Sequence, residues 1–543
     1  MSSQWPFDHP TPLPLETRRR WLLAAAGGLV TACGGGGGDS PPAPAPSPIP
    51  TLPRPPIVPV DGPSWPGFAG NAQHTAVGAI AAQRMDGIYW YTAVDLAPQL
   101  VNGALITHYG SPVITRHDTV IVPVKTGADG GFRIEARVGA TGDLLWTLNS
   151  SYLLPPHRWV PSFNPLLTPD GRVWMPASGG RVTVRGNAGD PGDPPATTAT
   201  LTFYGDTAYA ANPAAFDATV FINTPLTSDA AGNVYFGFVV TGANPAALGG
   251  GGIVRIAAND TPTFVTVAAA LPPSAGPTKT ATNAAPALSN DGSTLYVLVN
   301  NVPPQGVRPS GRLLRLNATT LATLSDVVLV DPSSGLPSRI SDDATSSPLV
   351  APDGDVYIGV LEAPDQSHNF RGWLLHFNAT LTQTKTPGSF GWDNTPSIVP
   401  GSMMGRSGYL LLTKYNNYAG LGDGQNKMAI LDPNATQPDP VTQRVPVMAE
   451  VITQLGPTPD PGAPGGVKEW CVNTAAVDPA TNAVLVNSED GILYRWHLPS
   501  NTFTQQVTLN AGLFQSYTPT ALGPDGRIYS INNATLHSVG QRV

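Results

Sequence analysis

Two cysteines and a handful of dispersed ionisable residues are the groups in this chain with the potential for chemistry. Cys33 ends the run Leu29-Val30-Thr31-Ala32-Cys33, and five glycines, Gly34 to Gly38, follow it. That is the setting of a cysteine at a small-residue processing site. Cys471, the other of the two cysteines, has no neighbouring histidine. A lone cysteine of this kind reads as a small buried apolar residue, and no second cysteine in the body could pair with it. His157, Asp343, Asp393 and Glu469 have the side chains for an acid/base or metal set, but no spacing motif joins them. His108 and His117 are close in the chain without a ligand spacing. Any site must therefore be assembled by the fold, and the elements that would do so come next.

Arg18-Arg19-Arg20 precede a short apolar stretch, Trp21 to Val30, and small residues lead to Cys33. A charged n-region, an apolar h-region and a small-residue cleavage site make a secretory signal. The stretch is too short to span a bilayer, which takes about 20 residues. A site of this form ending in cysteine resembles the lipobox of bacterial lipoproteins. That resemblance implies that Cys33 becomes the first residue of the mature protein and carries the acyl chains, palmitate among them. Each buried methylene adds ~0.8 kcal/mol, and more than one chain makes anchoring stable. Thr17 to Leu23, with Arg18 and Arg19, resembles a twin-arginine export motif, with plain n-region charge as the alternative. Gly34 after the cysteine is similar to the outer-membrane sorting pattern of Gram-negative lipoproteins. The expectation is an exported protein held by lipid at the outer membrane, facing the periplasm or the cell surface.

Composition divides the chain into a signal over 1–32, a Gly/Pro-rich linker over 33–62 and a body over 63–543. The linker favours extended polyproline II and acts as a semi-rigid spacer. Charged residues are only 12% of the chain and the net charge is -8, without the basic patches that nucleic acid requires.

Within the body one pattern recurs: a small polar residue, Pro, apolar residues, an Asp-Gly turn, then an apolar-Tyr strand. Examples are Asn164-Pro165-Leu166-Leu167 before Asp170-Gly171, and Ser347-Pro348-Leu349-Val350 before Asp353-Gly354. Further starts fall at Pro112, Pro225, Pro286, Pro396, the Pro-less Ala475 and Pro519, eight in all, spaced by about 44 to 79 residues. Asp-Gly between apolar runs signals a hairpin, because Gly accepts positive φ. No segment sustains a 3.6-residue apolar period, so long helices are not expected. Eight units of four antiparallel strands predict an all-β, eight-bladed β-propeller. The last unit supplies only three strands. The early strand Ile88 to Val94 is expected to complete it and lock the ring.

Trp65-Pro66-Gly67-Phe68-Ala69-Gly70-Asn71-Ala72-Gln73-His74-Thr75 resembles the opening segment of quinoprotein alcohol dehydrogenase-like propellers with PQQ-like repeats. Glu135 to Trp146, in which a Thr-Gly turn leads to a strand with Trp, is similar to their repeat. In the enzymes of that family, pyrroloquinoline quinone lies between a Trp and a vicinal Cys-Cys disulfide. Calcium is bound by Glu and Asn, and an Asp is the base. This chain departs from that set: it has no Cys-Cys pair, and no Glu, Asn and Asp match. No quinone or calcium is therefore expected. The nearer resemblance is to non-enzymatic members, typified by an outer-membrane assembly lipoprotein, which scaffold other proteins.

Loops entering the innermost strands of a propeller gather at one mouth of its channel. Residues just before each repeated Pro should meet there: His108, His157, Trp159, Asp343, Trp392, Asp393, Glu469, Trp470 and Tyr517. Lys279 and Asp342 belong to the same loops. Concave sites with a few converging polar groups are the default place for a ligand. The expected function is a binding or scaffold module for an envelope protein or small ligand. The alternative is an enzyme at the mouth, either a quinoprotein-like oxidoreductase or a carbohydrate-active propeller resting on Trp159, Trp392 and Trp470.

Overall fold

The computed structural model describes residues 49–543 apart from 102–103, 158, 245, 302–309, 341, 343–345, 418–420, 461–462, 471 and 511–516. Cys33, Arg18, Arg19, Asp343 and Cys471 thus lie outside the described residues. Eight antiparallel sheets follow one another in chain order as the blades of a propeller. Blade 1 comprises Val113–Ile114, Thr119–Gly127, Gly130–Val138 and Leu144–Ser150. The first strands of adjacent blades touch one another, which makes them the innermost. Burial follows this order: Val113–Ile114 is wholly buried, while Leu144–Ser150 alternates between exposed and half-buried. The helices are short, the longest described being Pro213–Thr219.

The recurring sequence has a physical basis at both ends of each inner strand. At Asp170-Gly171, Thr168 N–H donates to Arg172 O and Gly171 takes φ +84°, a conformation open to glycine without strain. Gly292, Gly354 and Gly526 repeat it. At the other end, the small polar residue before Pro joins neighbouring blades. Asn164 Oδ1 accepts from Ser111 N–H at 2.9 Å, Ser347 Oγ from Ala285 N–H and Thr395 Oγ1 from Ser347 N–H. Thr518 Oγ1 donates to Tyr109 O and so links blade 8 to blade 1.

The ring is closed as the sequence implies. Gly87–Ala93 pairs with Thr535–Gly540 and becomes the outer strand of blade 8. Trp90 Nε1–H donates to Gly139 O in blade 1 at 2.7 Å, and its ring packs on Tyr529 of blade 8. Arg527 of blade 8 adds a 3.0 Å ion pair to Asp118 of blade 1. Blade 5 departs from four full strands. It has three, Leu349–Val350, Val356–Val360 and Trp373–Phe377, with bridges at Gly388 and Thr384 on its outer edge. Blades 3 and 4 each carry a fifth short strand.

A second closure was not visible in the sequence. The segment Trp65 to Gly78 forms a belt around the end of the channel where the Asp-Gly turns lie. It pairs by backbone with one inner strand after another. Ile114 N–H donates to Trp65 O, Leu167 to Pro66, Leu288 to Ala72, Val350 to Gln73, Ile398 to Thr75 and Val477 to Ala76. To follow so tight a course, Ala69, His74 and Ala76 take φ of +50°, +63° and +56°. Such conformations are uncommon for residues other than glycine and persist where the surroundings impose them. His74 is almost wholly buried, with Nδ1–H donating to Pro348 O at 2.7 Å. Burial holds its imidazole down at about 4, and His537, beneath the closing strand, likewise at about 4.

Trp90→Ala should lower the unfolding free energy by about 3–5 kcal/mol, the range for removing a buried aromatic side chain. Guanidinium titration would show it, with the exposed Gln506→Ala staying within about 0.5 kcal/mol of the parent. A pH series should expose the two histidines. The unfolded chain takes up protons near pH 6.5, whereas folded His74 and His537 stay neutral to about 4. Unfolding therefore binds protons, and stability falls as pH drops across that window, by up to roughly 3 kcal/mol per histidine. The double variant His74→Gln/His537→Gln should flatten that part of the curve.

Candidate functional site

The mouth opposite the belt is built from the loops before the inner strands and from the ends of the second strands. Lys414 closes the second strand of blade 6, Tyr409–Tyr415. Its Nζ lies 2.9 Å from Asp393 Oδ1, and both side chains are almost entirely buried. Tyr517, from the loop into blade 8, places its ring 5.5 Å from the same Nζ, and Phe390 covers it at 5.8 Å. His108, before blade 1, packs on Tyr517 at 4.6 Å and stacks on Trp159, before blade 2, at 5.0 Å. Asp393, Lys414, Tyr517, His108 and Trp159 thus form a connected series spanning blades 6, 8, 1 and 2. A buried cation against aromatic faces is stabilised electrostatically, by about 2 kcal/mol or more when desolvated.

Two more buried lysines follow the same plan. Lys279 Nζ binds Asp342 Oδ2 at 2.6 Å and Asn300 Oδ1 at 2.9 Å in blade 4. Lys125 Nζ binds Asp95 Oδ1 at 2.9 Å in blade 1. Tyr109 OH donates to Asp95 Oδ2 at 3.0 Å, and burial together with that carboxylate pushes its phenol up. Arg371 stacks on Tyr415 at 4.4 Å, and burial draws the guanidinium down.

Of the residues expected at the mouth, His108, Trp159, Asp393 and Tyr517 are brought together. His157 is on the same rim but exposed, its Nδ1–H donating to Pro155 O at 2.8 Å. Glu469, which precedes Trp470 in the chain, is half-buried, with its Oε2 enclosed. Trp392 packs with Phe390 and Tyr415 in the core, and Trp470 packs with Tyr494 and Phe503. Trp159, Trp392 and Trp470 are 6%, 5% and 0% exposed. A sugar stacks on an open ring face, so these three do not provide the platform that a carbohydrate-active reading requires. The reason is bulk: indoles fill the wedge between blades.

Lys414, Lys125 and Arg371 were not anticipated. For Lys414 a signal existed: it is the one charged residue in the apolar run Tyr409 to Tyr415. The residues do not fit the quinone site of the dehydrogenases. Cys33 and Cys471 cannot form a vicinal disulfide, and Lys414, Tyr517 and Phe390 occupy the mouth. Among the described residues, no three His, Cys, Asp or Glu side chains gather as a metal-holding group.

No protein-family model and no curated protein matches the sequence. Solved structures do match in fold. Quinohemoprotein alcohol dehydrogenase from Comamonas testosteroni is 12% identical over 88% of this chain and 81% of its own, with a TM-score of 0.51. A europium-containing methanol dehydrogenase is 10% identical over 86% of this chain and 89% of its own, at 0.52. BamB from Moraxella catarrhalis is 11% identical over 85% of this chain and all of its own, at 0.41. At such identities the likeness is one of fold alone, that of an eight-bladed β-propeller.

Proposed function

We propose that this propeller is a lipid-tethered binding module of the cell envelope that engages a protein partner through its mouth rim and catalyses no reaction there. The observation that carries this reading is the commitment of the mouth's ionisable groups to one another. Lys414 with Asp393, Lys279 with Asp342 and Lys125 with Asp95 are ion pairs at 2.9, 2.6 and 2.9 Å. The three lysine side chains are at most 4% exposed. A general base or nucleophile must reach the atom on which it acts. The three lysines reach only their partners and make a rigid floor, while His157 stays exposed at the rim.

The path of the chain supports the orientation. The spacer joins the propeller at the end of the channel far from the mouth. There Leu52 N–H donates to Ile88 O, Val60 O accepts from His117 Nδ1–H and Gly62 N–H donates to Arg116 O. With Cys33 lipidated at the outer membrane, the belt side faces the tether and the mouth faces away.

Native and intact mass spectrometry of the full-length protein, extracted from its envelope in mild detergent, tests the reading. The expected result is a lipid-sized mass increment at Cys33 and a stoichiometric protein partner. Cys33→Ala should leave the membrane fraction. A lone chain carrying a small molecule at the mouth would favour an enzyme instead. His157→Glu should weaken the partner at least tenfold with an unchanged melting temperature. Lys414→Met should cost about 3–5 kcal/mol of stability by stranding a buried carboxylate, and adding Asp393→Leu should restore most of it.

A further inference from the structure

Of the three buried lysines at the mouth, Lys279 alone is also set against a side-chain amide, among the described residues. It lies in the short strand Lys279–Thr280, which pairs with the end of Thr294–Asn300 and puts Lys279 directly opposite Asn300. Lys125 Nζ meets Asp95 and the backbone carbonyl of Ala97, and Lys414 Nζ meets Asp393. Lys279 Nζ donates to Asp342 Oδ2 at 2.6 Å, to Asn300 Oδ1 at 2.9 Å and to Thr280 O at 3.3 Å, which occupies all of its protons. Asn300 Nδ2 in turn donates to the other oxygen of the same carboxyl, Asp342 Oδ1, at 2.9 Å. One carboxyl thus bridges an amine and the nitrogen of the amide beside it. Thr282 N–H, 2.9 Å from Asp342 Oδ1, fixes its orientation.

An ion pair alone would need only Lys279 and Asp342. Asn300 adds an electrophilic carbon, Cγ, one carbonyl bond beyond the Oδ1 that the amine touches. Lys279 and Asn300 are 4% and 1% exposed, and the flanking Val299 and Ile340 are buried as well. Water is thereby kept from the amide. The Asp342 side chain, 36% exposed, stands between this pair and solvent. A nucleophile, a carbon for it to attack and a group in contact with both the incoming and the outgoing nitrogen are therefore held together by the fold.

We infer that Lys279 and Asn300 become joined by an intramolecular isopeptide bond, with Asp342 as the proton carrier. Asp342 Oδ2 takes a proton from Nζ and leaves a neutral amine as the nucleophile. Nζ attacks Asn300 Cγ: the Nζ–Cγ bond forms and the carbonyl electron pair moves to Oδ1. The Asp342 carboxyl then gives its proton to Nδ2. The C=O bond is restored, the Cγ–Nδ2 bond breaks and ammonia leaves, taking up the proton that the new amide nitrogen sheds. In sum, an ammonium side chain and a primary amide become a secondary amide and an ammonium ion. No oxidant is consumed, so the link is open to a body whose one cysteine, Cys471, has no second cysteine there to pair with. Like a disulfide, it restricts the unfolded chain by closing a loop, here from 279 to 300. The bond is made once, turns over no substrate and does not depend on what the mouth binds.

Tryptic mapping of the full-length protein by tandem mass spectrometry tests this. Trypsin should fail to cut after Lys279 and return residues 256–312 as one peptide, lighter than its sequence by one ammonia. Backbone fragments from between 279 and 300 should be missing, because the link holds both ends of that stretch. Lys279→Arg keeps the cation without the amine nucleophile, so trypsin should cut at 279 and Asn300 should keep its amide. Asp342→Asn should lower the yield of the linked peptide at least tenfold. Complete cleavage after Lys279 in the parent, with no loss of ammonia, would overturn the assignment whatever the variants do. Loss of ammonia that persists in Lys279→Arg would also overturn it, by pointing to an asparagine that cyclises on its own backbone. An equal yield of the link in Asp342→Asn would overturn the proton route.

Discussion

A ring of blades is stable only if it closes, and closure here is a long-range problem. The strand that finishes blade 8, Gly87–Ala93, pairs with Thr535–Gly540 at the other end of the body. Nearly the whole body lies between the two segments, so their pairing closes a large loop and carries its entropy cost. Without it blade 8 would expose a strand edge, a template for unwanted pairing. Trp90 on Gly139 and Tyr529, and Arg527 on Asp118, concentrate burial and charge pairing at this one seam. Burial and the nearby Asp525 push the Asp118 carboxyl up to about 7, while Arg527 opposes that shift.

The mouth inherits its character from that closure. The loops before the inner strands converge on the axis, and each brings polar groups in among buried side chains. Buried polar groups must be paired or they cost free energy. The lysine–aspartate pairs satisfy one another, though a buried pair is weak support for stability compared with an apolar filling. Their geometry is specific, and each fixes a loop against a strand of the ring. The contact of Lys414 with the Tyr517 ring then brings blades 6 and 8 together.

Much of the architecture was legible because its causes are local. Asp-Gly turns and polar-Pro starts report on one hairpin at a time, and each structural role, from Gly171 to Thr395, is met within a few residues or by the adjacent blade. The closing strand could be inferred by counting, since blade 8 lacked one. The mouth was legible as a set of loops but not as a set of contacts. That His108 stacks on Trp159 while Trp470 turns into the core depends on side-chain packing between blades. The belt was unreadable for a different reason. Its bonds come from main-chain groups, which every residue has, so Pro66 or Gln73 carries no mark of its partner.

The belt also has a bearing on how many blades the chain can hold. Its carbonyls accept, in blade order, from the inner strands of blades 1, 2, 4, 5, 6 and 7, at intervals of one to six residues from Trp65 to Ala76. Its length is thus matched to the circumference of an eight-membered ring. A duplicated blade would widen the ring beyond the belt's span, and a deleted one would leave slack on a curve that already holds Ala69, His74 and Ala76 in left-handed conformations. The segment works as a molecular ruler: gain or loss of a repeat during evolution would require a matching insertion or deletion some distance upstream, before the first full blade begins.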